Sequence, residues 1–223
     1  MSKTQRKTFY LALLVMAILS NGCSDSSDGG TGSDGGTNYI DAPIKQTGQT
    51  ASYDENGIQI NDDSLKDDGY YKEGLEPRYT RSSDIVTDEL TGLMWQDDVN
   101  VTTNDKQWLT TVNFDECDND ESSPACYDTS GDTAATYCSE LKLGGYSDWR
   151  LPTIEELTNI ADYSHGDPFI DPAFDYTTES YYWSSTTGYS DDNDTARYFE
   201  FSDAYKGSDD KSYDYNVRCV RAQ

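Results

Sequence analysis

The chain has 223 residues and a formal net charge of −26, with 42 acidic and 16 basic side chains. Such a surface repels nucleic acid and bare anionic membrane, so neither is expected as a direct partner. The 18 Tyr, 6 Phe and 4 Trp residues still supply enough large aromatic side chains for a folded core.

Residues 1–22 have the pattern of a secretory signal peptide. Three basic residues precede an apolar run over residues 9–19, which is too short to span a bilayer. The leader ends in Leu-Ser-Asn-Gly-Cys23, which resembles the bacterial lipobox. The resemblance implies that Cys23 is lipidated and becomes the mature N-terminus. The alternative is ordinary cleavage that leaves Cys23 free.

Residues 23–38 are predicted to be the lipidated Cys and a flexible acidic tether, because they contain no apolar residue to bury after Cys23. Ser24 directly follows the Cys, which resembles lipoproteins sorted to the outer membrane. We therefore expect a lipid-anchored outer-membrane protein whose domain faces the periplasm or the cell surface. The lipid anchor is its expected link to the membrane.

Residues 39–78 are polar and rich in turns, and we predict an irregular N-terminal lobe, with Ile58 and Ile60 on a half-buried strand. The main domain is predicted over residues 79–223. It begins with a hairpin, because β-prone residues 85–87 and 93–96 flank a turn-forming Asp-to-Gly stretch. Trp95 is expected to anchor the core.

Residues 97–129 are predicted to be a long polar insertion anchored by Trp108 and Phe114. Inside it, Cys117 and Cys126 bracket an acidic loop. A disulfide closing this loop would contribute about 2–3 kcal/mol in the chain-entropy model. A calcium loop is the alternative, although the spacing of an EF-hand is absent.

A helix is predicted over residues 132–143, capped by Asp132 and ended by Gly144. A second helix is predicted from residue 154 to residue 162. Three strands are then expected over 181–186, 196–202 and 213–221, separated by loops rich in Asp, Gly, Ser and Tyr.

The segment between the two helices is Gly-Gly-Tyr-Ser-Asp-Trp-Arg-Leu-Pro-Thr. We predict that Trp149 and Leu151 point into the core, and that Arg150 pairs with Glu155 or Glu156. Pro152 is expected to end a short strand. Thr153 and Glu156 have the spacing of a capping box at the start of the second helix. These residues are therefore interpreted as structural, and Trp149→Ala is expected to unfold the domain.

A series of motifs in fixed order resembles the C-terminal domain family of the Legionella collagen-like adhesin. The motifs are Thr47-Gly48-Gln49-Thr50, Asp68-Gly69, Arg78-Tyr79-Thr80, Val86-Thr87-Asp88, Thr91-Gly92-Leu93-Met94-Trp95, residues 144–153 with Glu155-Glu156-Leu157, Tyr182-Trp183-Ser184-Ser185-Thr186, Ala196-Arg197 and Val217-Arg218-Cys219-Val220-Arg221. The resemblance implies an α+β, C-type-lectin-like fold, in which two helices pack on small antiparallel sheets with long loops. It also implies that the first and last strands pair.

The resemblance also implies a disulfide framework and a class of function. Lectin-like domains join a Cys of the first helix to a Cys of the last strand, which predicts Cys138–Cys219 and leaves Cys117–Cys126 as the second pair. The named adhesin binds sulfated glycosaminoglycans and trimerises through a collagen-like repeat. This chain has no such repeat, and its many acids suit a neutral glycan or a protein ligand better than a polyanion.

No catalytic set is predicted. His165 is the only histidine, so His-based triads and metal sites lack their other members. Formylglycine-generating enzymes share the Arg-Leu-Pro-Thr motif on a related fold, but their catalysis needs a late pair of cysteines, and Cys219 is the only late one. We therefore expect no enzyme, no metal and no cofactor, with calcium kept as an alternative.

Lectin-like domains bind ligands on the long loops between their late strands, which here contain adaptable Tyr, Ser, Asn and Asp residues. The ligand-binding candidates are Tyr189, Asp191, Asp192, Asn193, Asp194 and Tyr205. The predicted function is adhesion or envelope interaction through a protein or glycan ligand. The alternatives are an enzyme or enzyme accessory related to the formylglycine group, and a structural envelope protein without a discrete ligand.

Overall fold

The computed structural model describes residues 45–49, 51–53, 58–60, 71–188 and 193–223. These residues all belong to one unit, Asp41–Gln223. Within those ranges, no helix has both the length and the apolar character needed to cross a membrane. The predicted leader, the lipidation site Cys23 and the tether lie outside the described residues.

The described chain contains eleven strands, four short α-helices and one 3₁₀ helix. The strands are β1 (Ser52–Tyr53), β2 (Gln59–Ile60), β3 (Tyr79–Ser82), β4 (Ile85–Asp88), β5 (Leu93–Gln96), β6 (Asp105–Lys106), β7 (Tyr181–Thr187), β8 (Thr195–Glu200), β9 (Tyr205–Asp210), β10 (Tyr215–Asn216) and β11 (Val220–Ala222). The helices are α1 (Asn100–Thr103), α2 (Thr111–Asn119), the 3₁₀ helix Pro124–Tyr127, α3 (Ala134–Glu140) and α4 (Ile154–Thr158).

The strands form three sheets. A small hairpin joins β1 and β2, a four-stranded sheet has the order β11-β5-β4-β3, and a five-stranded sheet has the order β6-β10-β7-β8-β9. All pairings are antiparallel except that of β7 with β10. The predicted α+β class is confirmed, and the arrangement is compatible with a C-type-lectin-like fold. The last strand, β11, pairs with the hairpin strand β5.

The predicted hairpin over residues 79–96 is present, with β4 and β5 paired and β3 added on the outside. Asp88 shapes its turn, because its carboxylate accepts hydrogen bonds from the backbone of Leu90 and the hydroxyl of Thr91. Gly92 adopts a φ of 68°, which a glycine tolerates without steric cost. Trp95 is fully buried, as expected of a core anchor.

Both predicted helices are shorter than expected. Residues 134–140 form the first, and its N-cap is Thr133 rather than Asp132, which instead pairs with Lys106. Because Thr133 accepts a hydrogen bond from the Thr136 backbone, it satisfies the free amide that a cap must satisfy. The second helix stops at Thr158, four residues before the predicted end.

The predicted loop over residues 205–210 is a strand, β9, which pairs with the whole length of β8. Its Gly, Ser and Asp residues are depleted in strands generally, and here the neighbouring strand overrides that preference. The predicted strand 213–221 is interrupted, since β10 and β11 join different sheets.

The polar insertion over residues 97–129 contains more structure than predicted, including α1, β6, α2 and the 3₁₀ helix. Its two expected anchors, Trp108 and Phe114, pack in or against the core. Helix α2 has no apolar stripe that would predict it, and it is capped by Thr110 and joined to the 3₁₀ helix by the Cys117–Cys126 disulfide.

Two clusters of buried side chains form the core. The first surrounds Trp183 and contains Trp149, Leu151 and both disulfides, Cys117–Cys126 and Cys138–Cys219. The second contains aromatic residues of β7 and β8 together with Ile154 and Leu157 of α4. The segment from Trp149 to Leu157 therefore passes from one cluster to the other.

Candidate functional site

Three of the predicted ligand-binding residues, Tyr189, Asp191 and Asp192, lie outside the described residues. The other three are described, but they do not lie together. Asn193 and Asp194 precede β8, whereas Tyr205 pairs with Glu200 at the other end of that strand. Five residue steps of about 3.3 Å separate the two ends by about 17 Å.

Asn193 and Asp194 pack against the disulfide-bonded insertion. The Asn193 side chain donates to the Glu121 carbonyl at 2.9 Å, and its own carbonyl accepts from Lys211 Nζ at 2.5 Å. Lys211 is fully buried and also donates to the Cys126 carbonyl at 2.8 Å. Burial lowers the pKa of Lys211 to about 8. These contacts give Asn193 a structural role at this junction.

Tyr205 belongs to a different surface, which we call the tyrosine face. It consists of tyrosines that β7, β8, β9 and β10 present on one side of the five-stranded sheet, together with one tyrosine of the turn before β10. The members of the tyrosine face are Tyr181, Tyr198, Tyr205, Tyr213 and Tyr215. Alternate residues of a strand point to opposite sides, so register alone brings these rings together.

The rings of the tyrosine face contact one another closely. The centroid of Tyr181 lies 4.7 Å from that of Tyr198 and 4.9 Å from that of Tyr215. Tyr205 lies 6.4 Å from Tyr198, and Tyr213 stacks on Tyr215 at 6.1 Å. The side chains of Tyr205 and Tyr213 are 54% and 49% exposed. The face is therefore a connected aromatic surface that solvent reaches at two ends.

Carboxylates surround these rings. Glu200 lies opposite both Tyr181 and Tyr205 in the sheet register, and its charge is the main cause that raises the pKa of Tyr181. The Tyr215 hydroxyl donates to Asp209 Oδ2 at 2.5 Å, and burial together with this bond raises the pKa of Tyr215. Burial, followed by neighbouring phenols and carboxylates, raises the pKa of Tyr198 to about 12. Tyr181, Tyr198 and Tyr215 therefore hold their phenol protons more tightly than a free tyrosine does.

Gly207 leaves the space in which the ring of Tyr198, at the centre of the tyrosine face, lies. Gly207 lies directly opposite Tyr198 in the register of β8 and β9. A Cβ atom at Gly207 would overlap the phenol of Tyr198, so the ring lies across the strand where no side chain is present. The bare backbone of Gly207 thus lets Tyr198 lie between Tyr181 and Tyr205.

An open groove of about 700 Å³ borders this surface beside α3, lined by Lys106, Gly131, Asp132, Thr136, Tyr137, Glu140, Leu141 and Lys142. Lys106 pairs with Tyr215 in the sheet register, so the groove begins where the tyrosine face ends.

The residues interpreted as structural make the predicted local contacts. The Arg150 guanidinium bonds both oxygens of Glu156, at 2.8 and 2.6 Å, and the bond from Glu156 raises the pKa of Arg150. Thr153 and Glu156 form both hydrogen bonds of a capping box. Trp149 is 2% exposed, and Pro152 accepts a hydrogen bond from the Ser185 backbone. Arg150 itself exchanges two backbone hydrogen bonds with Val220.

His165 lies among groups that resemble a catalytic set in composition but not in geometry. Its Nδ1 is 3.0 Å from Ser164 Oγ and 2.9 Å from Asp162 Oδ2. In a Ser-His-Asp triad one ring nitrogen accepts the Ser proton while Asp orients the ring through the other, and here both contacts share Nδ1. Among the described residues, no group of three or more His, Cys, Asp or Glu side chains is arranged to hold a metal ion.

Tyr205 is the one member of the tyrosine face among the ligand-binding candidates predicted from the sequence, and the other four members were not predicted. The signal was present, because Tyr181 and Trp183, Tyr198 and Glu200, and Tyr213 and Tyr215 each alternate with a period of two. That period marks one side of a strand. The predictions instead concentrated on residues 189–194 and 205–210 as loops.

The chain matches a known protein family. Residues 84–221 fit the family model described as the Lcl C-terminal domain. The matched segment contains the whole tyrosine face and all four disulfide-bonded cysteines. No curated protein matches the chain.

Proposed function

Because the chain belongs to the Lcl C-terminal domain family, we propose that it is an adhesin-like surface protein that binds a protein or glycan ligand. The observation that carries this proposal is the tyrosine face. Monomeric proteins rarely expose a connected group of large aromatic side chains unless it contacts a partner. Tyrosine suits such contacts, since it offers a large ring and a polar hydroxyl at a low cost in conformational entropy.

We propose that the protein is attached to the outer membrane by a lipid on Cys23. The sequence of the leader and its final Cys supports this proposal, and the acidic tether over residues 24–38 would hold the domain away from the lipid surface. Metabolic labelling with a fatty-acid analogue tests it. Wild-type protein should take up the label and Cys23→Ser should not; labelling that survives in Cys23→Ser would contradict the proposal.

We propose binding without catalysis and without a cofactor. The Cys138–Cys219 disulfide supports this proposal, because it occupies the only late cysteine that a formylglycine-type mechanism could use. The contacts of His165 also support it, since both partners share one ring nitrogen.

A binding screen tests the proposed function. The full chain with Cys23→Ser, which carries no lipid, is applied to neutral glycans, sulfated glycans and extracellular-matrix proteins, with and without calcium. We expect saturable binding that weakens in Tyr205→Leu and persists in Tyr53→Leu, a control with a similarly exposed ring, 49% against 54%. The absence of saturable binding to every class would refute the proposal.

A further inference from the structure

Resting on the proposed function, we infer that the tyrosine face binds a cationic segment of a protein partner. A lysine or arginine side chain of the partner would lie over its rings, and Glu200 and Asp209 would balance the charge. A cation over an aromatic face is attracted by the electrons of the ring, and a nearby carboxylate adds to that attraction.

The acids around the rings are the first support. Glu200 and Asp209 contact or face the central tyrosines, and Asp203 also acts on the pKa of Tyr181. Lys106, which lies opposite Tyr215 in the register, already pairs with Asp132. With 42 acidic and 16 basic residues in the chain, the wider surface also favours a positive partner.

Elsewhere in the domain, Lys and Arg side chains lie over aromatic rings, and this is the second observation that supports the inference. Lys45 lies 4.8 Å from the ring of Tyr79, Lys211 lies 4.5 Å from that of Trp108, and Arg221 lies 3.9 Å from that of Tyr146. Across the ranges that the structure describes, no Lys or Arg of the chain lies over a ring of the tyrosine face. These rings are thus available to a cation from outside.

Ring orientation favours a cation over a sugar. Tyr198 is inclined at 61° to Tyr181 and at 77° to Tyr215, so the central rings do not form a flat platform. A single ammonium or guanidinium group needs only one ring face, and the carboxylates beside the rings add attraction for a cation but not for a neutral sugar. The carboxylates beside the rings would repel sulfated or phosphorylated ligands.

The test uses a lysine hexapeptide, a glutamate hexapeptide and neutral oligosaccharides, each titrated calorimetrically into the full chain with Cys23→Ser. A highly acidic protein also attracts lysine peptides without a defined site, so each decisive variant is compared with a control that makes the same change in charge. Tyr205→Leu is compared with Tyr53→Leu, and Glu200→Gln with Glu89→Gln, an exposed acid in the hairpin turn. Unchanged circular dichroism and melting temperature establish that each variant folds.

We expect saturable binding of the lysine peptide, weakened about tenfold by Tyr205→Leu or Glu200→Gln, and less than about twofold by either control. Equal effects in the variants and their controls would overturn the inference, because diffuse charge attraction would then explain binding. Oligosaccharide binding that depends on Tyr205, without lysine-peptide binding, would overturn the cationic class and leave the proposed function standing. If no ligand binds here or in the broader screen, the proposed function fails as well.

Discussion

The two sides of the five-stranded sheet use the same kind of residue for different purposes. On β7 and β8, Tyr182 and Phe199 point to one side, where both are fully buried in the second core cluster. Their chain neighbours Tyr181 and Tyr198 point to the other side, where both remain partly exposed. Trp183 points to the same side as Tyr181 and is fully buried in the first core cluster, so both sides contribute to the core and only the tyrosine side also reaches solvent.

The two sides of the sheet differ in the charged residues that pack against their aromatic rings. Phe174 and Arg218 lie on the same side of the sheet as Tyr182. The Arg218 guanidinium is 4.8 Å from the Phe174 ring and pairs with buried Asp97 at 3.1 Å. Asp97 also pairs with Arg81 and accepts hydrogen bonds from the backbone of Asp175 and Tyr176. The side of Tyr182 thus contains a buried cation with its counter-charge, whereas Glu200 and Asp209 are the charged neighbours of the rings in the tyrosine face.

The largest expected difference between the two sides is in stability. Phe199→Ala should lower the free energy of unfolding by about 3–5 kcal/mol, because it opens a cavity in a packed cluster. Tyr205→Ala, on the exposed side of the neighbouring strand, should cost less than about 1 kcal/mol. Urea denaturation measures both. Similar losses for the two variants would contradict the assignment of Tyr205 to an exposed surface.

Removal of the buried charge of Arg218 is expected to lower stability by a smaller amount. Arg218→Met should cost about 3 kcal/mol, because Asp97 stays buried with fewer partners. Arg150→Met, which breaks the half-exposed pair with Glu156, should cost less than about 1 kcal/mol. Chemical denaturation of both variants measures which pair contributes more to the free energy of unfolding. An Arg218→Met protein as stable as the wild type would contradict the prediction for the buried pair.

Gly207→Val should alter binding more than stability. The added side chain would displace the Tyr198 ring, although valine itself suits a strand, so the free energy of unfolding should change by less than about 1 kcal/mol. Affinity for the lysine hexapeptide should fall about tenfold. Calorimetry measures it, with Ser208→Val on the same strand as the control. Unchanged affinity in Gly207→Val would exclude Tyr198 from the binding surface.

The smallest expected effect is a loss of stability at alkaline pH. The pKa of Tyr198 is raised from 10.0 to about 12 in the folded chain, so the folded state holds this proton more tightly than the unfolded state does. Its contribution to stability is complete below pH 10 and is lost as the pH rises from about 10 to about 12. Melting temperatures across this range should fall less in Tyr198→Phe than in wild type. Identical slopes would contradict the prediction.

The sequence predicted the features that short-range chemistry determines. The capping box at Thr153, the turn after β4 and the α+β class all follow from local patterns or from the family motifs. Strand β9 was missed because its residues favour turns, and only its pairing with β8 makes it a strand. The tyrosine face was missed for a different reason, because a period of two marks one side of each strand but does not show which strands pair. Its five rings come from separate parts of the chain, and tertiary register brings them together.

The Cys138–Cys219 disulfide has a consequence for proteolysis. It encloses every strand that contributes to the tyrosine face, from Tyr181 to Tyr215. A protease that cuts the turn over residues 201–204 would therefore produce two fragments that remain covalently joined. Reduction of this disulfide would be needed to release the C-terminal fragment.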